Sequence, residues 1–124
     1  MWALEGRALR LAELMVSLVQ RGATVFVNGG QHVRPAVIDY LTQGGVDAAS
    51  CGLAGNGTTV WPHCKYWAVV SPADEYCKVR EGSLNTGSED SGEEFAGEVS
   101  GRQIAEAYAQ HATFVRQVTT TPPA

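Results

Sequence analysis

Leu4, Ala8, Leu11, Met15 and Leu18 recur at alternating spacings of four and three, and Leu14 and Val19 widen the stripe. Glu5, Arg7, Arg10, Glu13 and Arg21 mostly lie off it, the pattern of an amphipathic helix that must bury one face against something else. Gly22 follows Arg21 directly, so a cation falls in the last turn and a left-handed cap just beyond it. The next segment, "ATVFV" at 23–27, is rich in β-branched and aromatic residues and stops at the turn signal Asn28, Gly29, Gly30. A helix running straight into a buried strand commits the chain to a mixed fold. A length of 124 residues predicts a single domain over 1–124. Such a chain buries roughly two thirds of its unfolded surface, enough for a core without metal or disulfide staples.

The segment "RPAVIDYLTQGG" reads in two ways. As a helix it begins with Pro35 in the first turn, shows Val33, Val37 and Leu41 on one face and ends at Gly44. As a strand, Val37, Asp39 and Leu41 face one side and Ala36, Ile38 and Tyr40 the other, after a proline that biases Arg34 to extended geometry. Periodicity alone does not choose.

Further on, "KYWAVV" at 65–70 is a buried strand bounded by Pro62 and Pro72, and "EYCKVR" at 75–80 either pairs with it or continues it. A low-hydrophobicity acidic loop spans about 82–93, and "EFAGEV" after it is a short edge strand. Ser100 is the N-cap of a helix carrying Ile104, Ala105, Tyr108 and Ala112, and "TFVRQVT" at 113–119 alternates as a last strand. Residues 120–124 are a proline-bearing tail. The expected fold is α+β: a mixed or antiparallel sheet of about five strands packed against an N-terminal amphipathic helix and a C-terminal helix.

The octet "GLAGNGTT" at 52–59 has the spacing of a phosphate-binding loop, but Thr58 stands where the lysine belongs. Neither a strong strand before it nor a helix after it is in the pattern. Asn56 and Gly57 instead suit the centre of a type I′ turn, because both tolerate positive φ, with Thr58 to Trp61 as the outgoing strand. The expectation is a hairpin rather than a nucleotide site.

Cysteines stand at 51, 64 and 77, with His63 beside Cys64. Structural zinc sites bring ligands in close pairs that one short turn can supply, and no such pair is present. Adjacent residues on a strand also point to opposite faces, so His63 and Cys64 would rarely ligate together. Free buried cysteines and a reducing compartment are expected, with a Cys51–Cys64 disulfide across the hairpin under oxidant. A thiol nucleophile at Cys51 would need a lowered pKa, with His32 the imidazole able to approach it from the Gly29–Gly30 turn. Asp74 and Glu75 would diverge on a strand, and His111 complements a helix C-terminus. No catalytic, cofactor-binding or metal-binding residue is assigned.

Charge and aromatic content narrow the function classes. Residues 74–98 hold eight acids and two bases, leaving five acids and seven bases elsewhere, within a net charge of −4. So acidic a segment repels phosphate backbones, and direct nucleic-acid binding is not expected. No run of about 18 apolar residues is present, so no membrane span is expected. Residues 8–19 carry Arg10, Glu13 and Ser17 without a cleavage site, so no signal peptide is expected and the protein reads as intracellular. Trp2, Tyr40, Trp61, Tyr66, Trp67, Tyr76 and Tyr108 are many large aromatics for one small domain, and they read as exposed. In "YWAVV" the adjacent Tyr66 and Trp67 must face opposite sides of a strand, one inward and one outward. That pattern suits a sheet whose second face is covered by a partner or by further copies; helices on both sides are the alternative. Trp61, Tyr66 and Trp67, with the acids Glu89, Asp90, Glu93 and Glu94, are the candidate interaction residues.

"LRLAELMVSLVQRGATVFVNG", followed by "RPAVIDYLTQGG" and later "KYWAVVSP", resembles the first half of the tail-terminator proteins of long-tailed bacteriophages, over roughly residues 8–72. The resemblance implies a small α/β protein without catalytic residues that assembles as a ring on the end of the tail tube, and it implies that "AVIDYL" is a strand. It departs after the third strand, where the family carries a helix and this chain the polar 82–93 loop. The expected function is a non-enzymatic assembly or protein-interaction module, homo-oligomeric, needing no cofactor, in the bacterial cytoplasm or assembled into a virion. The alternatives are an acidic inhibitor or immunity-type binding protein, and a small thiol-dependent α/β enzyme. In that enzyme 31–43 would be a helix and 46–51 a parallel strand.

Overall fold

In the computed structural model the described residues are 2–55, 58–60, 66–82 and 96–120. Among them the chain forms helix α1 (Gly6–Gln20), strand β1 (Phe26–Gly29), helix α2 (Pro35–Gln43), strands β2 (Asp47–Ser50), β3 (Leu53–Gly55), β4 (Thr58–Val60) and β5 (Tyr66–Val69), a single 3-10 turn (Asp74–Tyr76), strands β6 (Lys78–Gly82) and β7 (Ala96–Ser100), and helix α3 (Arg102–Thr120). The α+β class is as expected, with helices near both ends of the chain packed on sheets. Five strands belong to a parallel pair, β1–β2, and an antiparallel sheet of order β5-β6-β7; the other two form the β3–β4 hairpin.

The N-terminal half is a β-α-β unit with α1 added. Val27 of β1, Ala12 and Met15 of α1, Val37 and Leu41 of α2, Val46 and Trp2 form its core. Trp2, expected at the surface, is only 3% exposed. Its indole N–H donates to the Ala8 carbonyl at 2.9 Å, and its backbone bridges to the segment before α2, with Trp2 N–H bound to His32 O and Arg34 N–H to Trp2 O. An indole can be buried only where its N–H finds an acceptor, and the first turns of α1 supply one.

Residues 35–43 are a helix, which corrects the strand implied by the phage resemblance. Pro35 takes the first helical position and Arg34 before it is extended, at φ −67° and ψ 141°, as a pre-proline residue prefers. Val37, Ile38 and Leu41 are buried on one face. Two parallel strands need a crossover between them, and α2 is that crossover. Both α1 and α2 close with a Schellman motif: Gly22 N–H bonds Val19 O and Ala23 N–H bonds Leu18 O, while Gly45 N–H bonds Thr42 O and Val46 N–H bonds Leu41 O. Gly22 and Gly45 supply the positive φ each motif needs, +99° and +91°.

The hairpin expected around Asn56–Gly57 is present as the antiparallel pairing of β3 with β4. Its register, Gly55 opposite Thr58, leaves two connecting residues, which themselves lie outside the described set. β5 and β7 fall within the strands expected at 65–70 and 94–99, with β7 on a sheet edge, but β5 is not the buried strand expected, because Trp67 and Val69 on one of its faces are exposed. The segment 75–80 divides: its first residues form the 3-10 turn, and Lys78 onward is β6, paired antiparallel with both neighbours. Ser100 is not a helix cap; it closes β7 opposite Lys78, and Gly101 O accepts the first helical bond from Ala105 N–H.

The strand expected at 113–119 is also corrected, because α3 runs unbroken through it to Thr120. Ala105, Tyr108, Ala112, Val115 and Thr119 continue one inward stripe at helical spacing, each buried or half-buried. At 19 residues α3 is roughly 28 Å long, enough to reach both halves of the molecule. Its N-terminal part packs on the sheet, where Cys77, Val79 and Ala105 form a second buried cluster joined by Ala68 and Tyr108. Its C-terminal part crosses β1. The loop 82–93, beyond Gly82, and residues 121–124 of the expected tail lie outside the described residues.

Gly44, directly after α2, packs against Val16 of α1: a Cβ built there would lie at 2.8 Å or less from both γ-carbons of Val16. Gly44→Ala is therefore expected to destabilise the protein by about 1–3 kcal/mol in thermal or denaturant unfolding. Val16→Ala in the same chain should recover part of that loss; full stability of Gly44→Ala alone would contradict the packing described.

Candidate functional site

Helix α3 presents its polar side chains in three groups, each closing on a different part of the fold. At its start, Arg102 donates through Nε to Asp74 Oδ1 at 2.5 Å and through Nη2 to the Ser71 and Pro72 carbonyls at 2.5 and 2.9 Å. Glu106, one turn on, stands 3.7 Å from Nη1. The hydrogen bond that Arg102 donates to the Asp74 carboxylate raises the Arg102 pKa further above its already high value. Asp74, read as half of a diverging surface pair, thus anchors the strand connection to the helix. Beneath it Cys77 is fully buried; its thiol accepts from Ser71 N–H and donates to Ser71 O, both at 3.3 Å.

In mid-helix, Tyr108 and His111 meet Tyr66 of β5 and Glu81 of β6. Tyr66 and Tyr108 stack edge to face at 4.9 Å between centroids. The Tyr66 hydroxyl lies 2.9 Å from His111 Nδ1 and 3.4 Å from the Tyr108 carbonyl. One hydroxyl proton serves both arrangements: with Nδ1 unprotonated Tyr66 donates to it, and with Nδ1 protonated His111 donates and Tyr66 turns its proton to the carbonyl. The Tyr108 hydroxyl donates to Glu81 Oε1, and that bond to a carboxylate is the first cause raising the Tyr108 pKa. Tyr66 and His111 are 45 residues apart in sequence, and only the docking of α3 on β5 brings them together.

Near its end, Arg116 is only 16% exposed at its side chain. Its Nε donates to Asn28 Oδ1 at 2.9 Å, and Nη2 to the Val27 and Asp47 carbonyls at 2.7 and 2.9 Å. Nη1 pairs with the Asp47 carboxylate. The guanidinium carbon lies 3.6 Å from the centre of the Phe26 ring, a cation–π contact. Asn28 in turn donates to Ala112 O at 2.7 Å. No sequence motif marks this cluster.

Cys51 follows β2 on the same side of the fold. It is fully buried, its N–H bound to Gly29 O at 2.7 Å and its thiol within 3.7 Å of Asn28 Oδ1. His32 is exposed in the turn after β1. The helix and parallel strand that a thiol enzyme required are both present, yet the sulfur faces protein rather than solvent. Among the described residues no group of three or more His, Cys, Asp or Glu is placed to hold a metal ion, and no helix is long and apolar enough to cross a membrane.

Of the sequence-derived interaction residues, Tyr66 is half-buried against α3 and Trp67 is 39% exposed on the opposite face of the sheet. The adjacent aromatics thus divide inward and outward as the pleat demands. Trp67 and Arg80 are cross-strand partners, as are Val69 and Lys78, and Glu98 faces Arg80 from β7. Together they form an outer sheet face with exposed Trp67 and Val69 beside alternating charges. Trp61, Glu89, Asp90, Glu93 and Glu94 lie outside the described residues. No protein family, curated protein or solved structure matches the chain.

Two outcomes follow from these clusters. Arg116→Ala is expected to lower stability by about 2–3 kcal/mol, since it strips partners from Asn28, Asp47 and two strand carbonyls. Arg116→Lys should recover little of it, having one ammonium for four directions; calorimetric unfolding of both variants measures this. Because Tyr108 carries a raised pKa, its bond to the Glu81 carboxylate contributes fully below the ordinary phenol value of about 10 for as long as Glu81 is ionised, and is lost as pH climbs through the raised value. Phenolate absorbance should show one tyrosine ionising above the ordinary range, and Tyr108→Phe should remove it.

Proposed function

We propose that the protein is a non-enzymatic assembly or protein-interaction module that works as a homo-oligomer and meets protein partners. The observation that carries this is the outer face of the β5-β6-β7 sheet, where Trp67 is 39% and Val69 53% exposed between Lys78, Arg80 and Glu98. A large aromatic with an aliphatic neighbour inside a charged rim is the composition of a protein contact, an anchor surrounded by groups that set orientation. Thiol chemistry is the weaker reading, because a nucleophile must be reached and Cys51 is sealed beneath the strand ends.

The particular form suggested by the resemblance over residues 8–72 is a tail-terminator-like virion component that closes into a ring. It rests on the amphipathic first helix, the strand after it and the aromatic strand β5, since the helical state of 35–43 differs from the strand that family has there. Direct binding of nucleic acid and a resident cofactor play no part in this proposal, and the protein acts in the bacterial cytoplasm or within the particle.

Light scattering across a concentration series tests the assembly reading. The expected result is a discrete species of several chain masses; a single-chain mass at every concentration up to the solubility limit sinks it.

A further inference from the structure

We infer that two copies of this chain pair through the free flank of α3, the helices antiparallel and the two-fold axis passing beside His111. This rests on the assembly reading above and names the surface that performs it. Along α3, Ile104, Ala107, His111, Phe114 and Val118 follow one another at spacings of three, four, three and four. That is the repeat of a helix-pairing seam. The seam lies beside the inward stripe of Ala105, Tyr108, Ala112 and Thr119 and is open: Ile104 is 36%, Phe114 57% and Val118 48% exposed.

Three features of the seam select a second copy as the occupant. The first is size. When the helix is laid antiparallel on itself about His111, Phe114 of one copy faces Ala107 of the other and Ile104 faces Val118, so each large side chain meets a small or matching one. A parallel pair would set Phe114 against Phe114 and Ala107 against Ala107, a collision next to a void. The second is charge. The net charge of −4 comes from residues 74–98, which hold eight acids and two bases, and the outer sheet face bears Lys78, Arg80 and Glu98, so two copies meeting through either would set like charges together. The seam bears no acid, and its one ionisable group is His111. The third is the rim: Gln103, Gln110 and Gln117 recur every seven residues along the solvent side of the seam. A glutamine rim bonds to itself without like-charge repulsion, which is what an isologous contact requires.

The contact is small, about two heptads, so association is concentration-dependent rather than permanent. It adds to the sheet-face contact without competing with it, because Trp67 points away from α3. Two self-complementary or partner-binding faces on one chain are what closure into a larger assembly needs.

Sedimentation velocity over a concentration series tests the pairing, with circular dichroism confirming that each variant is folded. Phe114→Glu should weaken self-association by about tenfold or more, and Trp67→Glu should leave the α3 contact in place. Phe114→Ala should also weaken it, and the swapped double variant Ala107→Phe with Phe114→Ala should restore it, because an antiparallel pair re-forms the same large-to-small match. Association that persists unchanged in Phe114→Glu, or a swap that fails to restore it, overturns the α3 seam while leaving assembly through another face intact. A wild-type chain that stays monomeric overturns the assembly reading itself.

Discussion

The docking of α3 across the molecule is the interaction on which the rest depends, and Arg116 is its fixed point. A guanidinium that is 16% exposed must satisfy its donors or not be there. Here they reach two strand carbonyls, an amide oxygen and a carboxylate, all on β1 and β2, while the plane covers Phe26. This fork holds the helix against the β-α-β unit through directional bonds, where α1 and α2 hold the opposite face of the same strands through apolar packing. Phe26 and Asn28 alternate with Val27 along β1, so one short strand serves both layers.

From that anchor the other end of α3 is carried to the three-stranded sheet. Arg102 ties it to the turn before β6, Gly101 N–H to Cys77 O, and Tyr108 and His111 to the inner face of β5 and β6. Gly52 N–H to Thr119 O brings in the approach to β3 as well. The helix is thus the spine shared by sheets that form separate ladders among the described residues. Among the described residues the Trp67 face of the sheet and the Phe114 flank of the helix lie outside these contacts, and both interaction proposals come from them.

Much of the fold was legible where local chemistry and tertiary need agreed. The stripe of α1, the glycine after Arg21, the hairpin register around Asn56–Gly57 and the strand at Tyr66–Val69 follow from period, cap and turn preferences. The inward and outward division of Tyr66 and Trp67 followed from pleat geometry alone. Legibility ended where a segment carried two periods at once. "RPAVIDYL" fits both a strand and a helix, and the need for a crossover between parallel β1 and β2 selected the helix. "TFVRQVT" alternates, yet Arg116 and Thr119 meet their partners only if the helical spacing from Ala105 and Ala112 continues. Trp2 looked like a surface aromatic because nothing in sequence shows that Ala8 O lies within reach of its indole.

What the sequence determined by itself is the α+β class, the first helix and its cap, the hairpin and the aromatic strand, since each depends on neighbours within a few residues. Tertiary structure alone decided the helical state of 35–43 and 113–119, and the assembly of Tyr66, Glu81, Tyr108 and His111 into one cluster. It alone also made Arg116 a clasp. The physical reason is separation: Arg116 finds Asn28 and Asp47 across 88 and 69 residues, and no local preference encodes a bond whose partner arrives only when the chain has folded.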